Sequence, residues 1–239
     1  METRLAETGL AGRAAAMTLA DQGVGPAVVA ALLAAGVTLA VDGAPAGIDG
    51  ARAVGRADDD PAGFLDRCEA AAGPLDILVV GAGAVRNKPL LDVTAEELRG
   101  TVESDLVRPA LLMREAARRM TARGQGRIIA FGSMSGKTGV HHNTAPSAAA
   151  KGGLFAFVRA LAAETAGQGV TVNAIATALF EPQTATMTEE KRARLRAAVP
   201  VGRFGRSEEA AHAVLFLAAA HAGYVTGECL NLSGGRFMD

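Results

Sequence analysis

The chain has 239 residues, 49% hydrophobic and 21% charged, with a formal net charge of −1. That length suits one large α/β domain, and that balance supplies a full core and excludes a disordered chain. Near-neutral charge argues against a broad basic surface for nucleic acid. Two cysteines, Cys68 and Cys229, are too few for a disulfide framework and point to a reducing compartment. No apolar run reaches membrane-spanning length, and the charged start METRLAETGL lacks the apolar core of a secretory signal, so a soluble, cytoplasmic protein is the expectation.

In chain order, residues Ala14 to Thr18 read as a buried strand, followed by a glycine turn and a helix from Pro26 to Ala35 that stops at Gly36. Val37 to Val41 reads as the next strand. The stretch from Gly43 to Asp58 carries Pro45, Gly47, Gly50 and Gly55, which disfavour a regular helix. Asp58, Asp59 and Asp60 before Pro61 suit a solvated turn or a helix cap. Asp76 to Val80 is a clear strand. Ala95 to Gly100 leads into a helix over Leu106 to Arg123. Arg127 to Phe131 is a strand, Ala148 to Ala166 a helix, Val170 to Ala174 a strand and Glu208 to Ala220 a helix. Within the segment 177–200, Thr186 to Arg192 suits a short amphipathic helix, as part of a substrate lid. Alternating strands and helices imply a parallel sheet covered on both faces and a single domain over 1–239. Alternation by itself also suits a flavodoxin-like fold or a methyltransferase.

The motifs narrow this. Thr18, Gly23, Val24 and Gly25 lie in a turn between strand and helix, where glycine lets a backbone approach a diphosphate and the helix N-terminus favours its charge. An unliganded tight turn would look the same. Further on come Gly81-Ala-Gly83 after a strand, a strand ending at Ser133, Lys151 in the next helix, Val172-Asn-Ala-Ile, Pro200-Val-Gly-Arg203, Tyr224-Val-Thr-Gly227 and Ser233-Gly-Gly235. This ordered set resembles the classical short-chain dehydrogenase/reductase family, nearest to the 3-oxoacyl-thioester reductase type, from about Gly12 to Arg236. The resemblance implies one Rossmann-type doubly wound α/β domain, a tetramer, and NAD(H) or NADP(H) as cofactor.

It also implies roles, position by position. The family's serine and lysine correspond to Ser133 and Lys151. Its tyrosine, four residues before the lysine, is here Ser147, and the asparagine of its proton relay is Asp105. In the cofactor turn Thr18, Gly23, Val24 and Gly25 match, whereas Leu19 replaces the first glycine. Val80-Gly81-Ala82-Gly83 replaces Asn-Asn-Ala-Gly, leaving Gly81 and Gly83 as reduced cofactor contacts. Asp42 ends the second strand, roughly where an acid holds the adenosine ribose, one position early, with Gly43 in the equivalent place. Asp58 and Asp59 fall where the family contacts adenine.

A phenol starts near pKa ~10 and a lysine cation can pull it towards neutrality, whereas a serine hydroxyl is a far weaker acid. Losing positioned acid–base help costs about 10²–10⁴-fold. Tyr224 sits in a context that matches a C-terminal strand of the family and does not replace the missing tyrosine. His141 and His142, in the loop before Ser147, are candidate replacements, as is Asp105; a role-free loop pair and a salt-bridged aspartate are the plain alternatives. The four histidines and two cysteines form no ligand spacing, so no metal is expected.

Three functions follow as expectations. The first is a non-catalytic or regulatory subunit, in a homo- or heterotetramer with an active short-chain dehydrogenase, without nucleic-acid or membrane partners. By resemblance its interfaces are the helices of Leu106–Arg123 and Ala148–Ala166, where Ala148 to Ala150 and Gly152-Gly153 permit close approach, and the C-terminal run Leu230 to Asp239. For this reading NAD(P) binding is in doubt. The second is an unorthodox NAD(P)-dependent reductase of a 3-oxoacyl thioester or ketone, or an alcohol dehydrogenase. The third is redox-neutral chemistry or ligand sensing in the old pocket.

Overall fold

The computed structural model describes residues 8–57, 60–85, 87–139 and 141–238. Seven strands form one sheet: β1 (Ala14–Met17), β2 (Thr38–Val41), β3 (Arg52–Ala53), β4 (Ile77–Val80), β5 (Gly126–Ser133), β6 (Val170–Thr177) and β7 (Cys229–Leu232). Their order across the sheet is β3-β2-β1-β4-β5-β6-β7, and every pairing is parallel. The chain runs outward from β1 to β3, then returns to lay β4 on the other side of β1. This reversal makes a crevice at the carboxyl ends of β1 and β4, where doubly wound sheets bind ligands.

The strands are buried on both faces, which is why they read as apolar runs rather than as alternations. Alternate residues still divide between two cores. Ala16, Leu78, Ile128 and Val172 face α2 (Pro61–Ala72), α4 (Arg108–Arg123) and α6 (Ala145–Thr165). Ala15, Val79, Ile129 and Ile175 face α1 (Gly25–Ala34) and α9 (Ser207–Ala218). Between these lie α3 (Ala95–Val102), α5 (Met134–Thr138), α7 (Glu181–Thr184) and α8 (Glu189–Ala197). Fully burying one large apolar side chain contributes about 1.5–3 kcal/mol, so these two layers supply most of the driving force.

Several boundaries differ from the sequence reading. β5 and β6 run past Phe131 and Ala174, because Ser133 and Thr177 continue the same ladder. The lid helix begins at Glu189, capped by the Thr188 hydroxyl, rather than at Thr186. Between Gly43 and Ala57 the described residues form only the two-residue edge strand β3, in keeping with Pro45 and the glycines there. Helix α2 carries no strong sequence signature beyond its start, where the Asp60 carboxylate accepts the Gly63 N–H at 2.9 Å ahead of Pro61. Asp58 and Asp59 lie outside the described residues. Tyr224 precedes β7 and is fully exposed. Among the described residues no helix is long and apolar enough to cross a membrane.

Candidate active site

The glycine turn follows β1 directly. The Thr18 hydroxyl accepts the Gly81 N–H at 3.0 Å, tying this turn to the end of β4. Leu19 occupies the left-handed region at φ 52°, the conformation that the family's glycine adopts without strain. Asp42 holds it there: the Leu19 N–H donates to Asp42 Oδ1 at 2.6 Å. Burial raises the Asp42 carboxyl pKa, opposed by that amide and by Arg56. The Leu19 side chain changes the opposite wall as well. A Cβ at position 81 would lie 2.8 Å from the Leu19 Cβ and would also strike the Thr18 carbonyl, so only glycine fits there. Leu19 and Gly81 are therefore packed against one another.

Gly23 has φ 54° with open space beside its Cα, as a backbone facing a ligand requires, whereas Gly25 is glycine because a Cβ would collide with the Ala20 carbonyl at 2.6 Å. Val24 ends the turn at the start of α1.

Helices α3 and α4 are joined by one wide π turn, Glu103–Val107, which carries Asp105. Such single-turn bulges re-aim side chains and recur at functional sites. Asp105 is buried, and its carboxylate lies 3.9 Å from Lys151 Nζ and 3.9 Å from where a Gly83 Cβ would stand. Lys151 sits two turns into α6 with 3% of its side chain exposed. Gly136 on α5 lets that helix rest on the Lys151 backbone, since a Cβ there would come within 2.7 Å of it. Burial pushes the Lys151 ammonium pKa down and the Asp105 carboxylate pushes it back up. Ser147, one turn earlier on α6, is 1% exposed.

These groups surround a cavity of about 410 Å³. Its lining includes Thr18, Leu19, Asp42, Gly81 and Gly83 together with Asp105, Ser147 and Lys151. Thr101, Ser104, Arg108 and Leu112 also line the wall, and the sequence reading missed them; Ser104 lies in the π turn, which has no sequence signature. The turn at a helix N-terminus and the open Gly23 backbone suit the diphosphate of a dinucleotide. A dinucleotide would be held by the Thr18–Gly25 backbone at its diphosphate and by Lys151 at its nicotinamide end.

Other candidates stand apart. Ser133 does not line this cavity; its hydroxyl accepts from the Ser135 N–H and hydroxyl at 3.2 and 3.0 Å, capping α5. His141 and His142 do not line it either, and burial together with Arg236 lowers the His141 pKa. Among the described residues no group of His, Cys, Asp and Glu is arranged to hold a metal.

The sequence pattern of the enoyl-(acyl carrier protein) reductase family matches residues 9–236. The chain is 37% identical to the 3-oxoacyl-[acyl-carrier-protein] reductase FabG of Escherichia coli strain K12, over 95% of this chain and 98% of that one. It is 34% identical to the cis-4-hydroxycyclohexanecarboxylate dehydrogenase of Sinomonas cyclohexanicum, over 93% and 96% of the two chains. Its structure is similar to the crystal structure of the TT0495 protein from Thermus thermophilus, with a TM-score of 0.87 and 32% identity over 94% of this chain and 98% of that one.

Proposed function

Because the chain belongs to the classical short-chain dehydrogenases/reductases, an oxidoreductase family, we propose that it is a member that keeps the dinucleotide groove but lacks the acid needed for carbonyl reduction, and serves as the non-catalytic subunit beside an active relative. The carrying observation is Ser147. It stands one helical turn before Lys151 on the cavity wall, where the resemblance places a tyrosine, and its short hydroxyl stops far from where a phenol would end. A bound reduced nicotinamide supplies a hydride to a carbonyl carbon. The alkoxide formed then needs a proton, which a serine hydroxyl delivers poorly, at a cost of about 10²–10⁴-fold.

Surface features support assembly. Leu91 is 98% exposed, with Leu90 and Leu98 also open to solvent beside α3. The exposed positions of α6 include Ala149, Ala156 and Ala160, small enough for a second helix to approach closely. The substrate of the assembly, by its similarity to the Escherichia coli enzyme, would be a 3-oxoacyl thioester.

The test is turnover of a 3-oxoacyl thioester or simple ketone by the purified protein with NADH and with NADPH. The expected result is no turnover at ordinary enzyme rates, with activity gained in the Ser147→Tyr variant. Ordinary rates from the unaltered protein would overturn the proposal.

Lys151 favours a second reading, an unorthodox reductase. Its ammonium is buried in the cavity wall with a lowered pKa, beside the Asp105 carboxylate. In that reading Lys151 Nζ gives its proton to the carbonyl oxygen and recovers one from solvent, and Asp105 steadies the cation. Lys151→Ala would then abolish whatever activity the protein has.

A further inference from the structure

We infer that the chain carries a second binding site, for a small oxyanion of the carboxylate or phosphate kind, at the amino ends of the strands, with Arg127 as its main contact. The site is separate from the groove at the carboxyl ends and does not depend on the function proposed for that groove.

A cavity of about 240 Å³ lies at this opposite pole of the sheet. Its charged lining residues stand where strands begin: Arg13 directly precedes β1, Asp76 directly precedes β4, and Arg127 is the second residue of β5. Because every pairing is parallel, these positions share one edge of the sheet. Gly124 and Gly169 in the same wall bring no side chains to fill the space.

The one carboxylate in the lining is already engaged. Asp76 Oδ1 accepts from Arg13 Nη1 at 3.1 Å and from Gln125 Nε2 at 2.9 Å, and Oδ2 accepts the Ala14 N–H at 3.1 Å. Arg127 has no such partner. Its Nη1 donates to the Gly126 carbonyl at 2.9 Å, but its buried Nε meets no acceptor among the described residues. Nη2 lies beside the turn that follows α9, 3.5 Å from where a Gly223 Cβ would stand. Nε and Nη2 form the edge of a guanidinium that grips an oxyanion through two parallel bonds.

Two effects bear on this cation. α4 and α9 both end beside the cavity, and helix carboxyl ends favour positive charge, which lets Arg13 and Arg127 stand near one another. That field supplies no acceptor for Nε. Burial, and then the Arg13 charge, lower the Arg127 pKa, so the guanidinium sits in an environment that a counter-ion relieves. Two arginines against one aspartate leave the lining with a single net positive charge. A water molecule would satisfy the orphan N–H but not that charge; an oxyanion satisfies both.

The test is calorimetric titration of the purified chain with inorganic phosphate and, separately, with acetate, at constant ionic strength, together with thermal unfolding. Saturable binding and a rise in the thermal midpoint by mass action are expected, and the tighter of the two anions tells a phosphate site from a carboxylate site. Arg127→Met should weaken that binding at least about tenfold. It removes an unpaired buried cation, so its midpoint in chloride should equal or exceed that of the unaltered protein. Arg127→Lys keeps the charge without the two-pronged edge and should also weaken binding, which keeps the test open if the methionine variant does not fold. Arg194→Gln, at an exposed position of α8, should bind like the unaltered protein, which separates the site from a general salt effect. Unchanged binding in a folded Arg127 variant would place the anion elsewhere, the glycine turn included, and overturn the inference. So would the absence of saturable binding of either anion at millimolar concentration.

Discussion

Leu19, Gly81 and Asp42 show how a turn holds a leucine in the left-handed region. A non-glycine residue in the left-handed region costs roughly 1–2 kcal/mol, and here one short hydrogen bond from a buried carboxylate fixes the amide. Removing that acceptor in Asp42→Ala leaves the Leu19 N–H without its partner, so a loss of about 1–3 kcal/mol is expected in urea unfolding. At Gly81 a methyl group must displace the Leu19 side chain and the Thr18 carbonyl. Gly81→Ala should therefore cost about 1–3 kcal/mol. The same substitution made together with Leu19→Gly should cost less, because one of the two obstructions is gone. Equal costs in both backgrounds would show that the positions are independent. From the sequence, Leu19 and Gly81 looked like separate losses. Their link passes between two strand ends more than sixty positions apart, and such proximity exists only once the sheet has formed.

Two of the helices are set by carboxylates at their ends. At the start of α9 the Glu209 carboxylate accepts the Arg206 N–H at 2.8 Å and both terminal nitrogens of Arg203 at 2.7 and 2.8 Å. At the start of α3 the Glu97 carboxylate accepts the Thr94 N–H and the Lys88 ammonium. Arg203 and Lys88, the largest influences, hold these two carboxyls well below the usual range, at about 2. A folded-state pKa below the unfolded one stabilises the protein only while the carboxylate is ionised. The contribution is complete above about 4.5 and is lost as pH falls towards about 2. The thermal midpoint should therefore fall across that window, and less steeply in Glu209→Gln. The element pattern was largely legible because apolar runs and glycine stops are local signals. The inward turn of Asp105 was not, because a π turn inserts one residue without a characteristic composition. Asp105 and Lys151 were nonetheless named from the sequence, and the fold brings them within 3.9 Å.

At the scale of the molecule, the surface has an apolar area that the monomer does not use. Leu90, Leu91 and Leu98 project beside α3, which packs against α6. Exposed apolar clusters of this kind mark contacts between proteins. Under the proposed assembly, Leu91→Glu combined with Leu98→Glu should reduce the sedimentation coefficient while leaving the far-ultraviolet circular dichroism unchanged. An unaltered coefficient would count against this surface as a contact. The fold class was readable because it depends on the order of many elements, each partly visible. The packing of the Asp21 side chain into the space beside Gly43 was not, since it joins a turn to the end of a strand more than twenty positions on.

The strand order also bears on how the chain is made. β1 occupies an interior place in the sheet, yet one of its neighbours, β4, begins only at Ile77, and the outermost strand β7 begins at Cys229. A chain emerging from a ribosome therefore carries an apolar strand with one open edge until β4 arrives, and β6 in turn awaits β7, more than fifty residues on. Closing such long loops costs entropy before any contact repays it. Interrupted synthesis would leave fragments with bare strand edges, the species on which chaperones act.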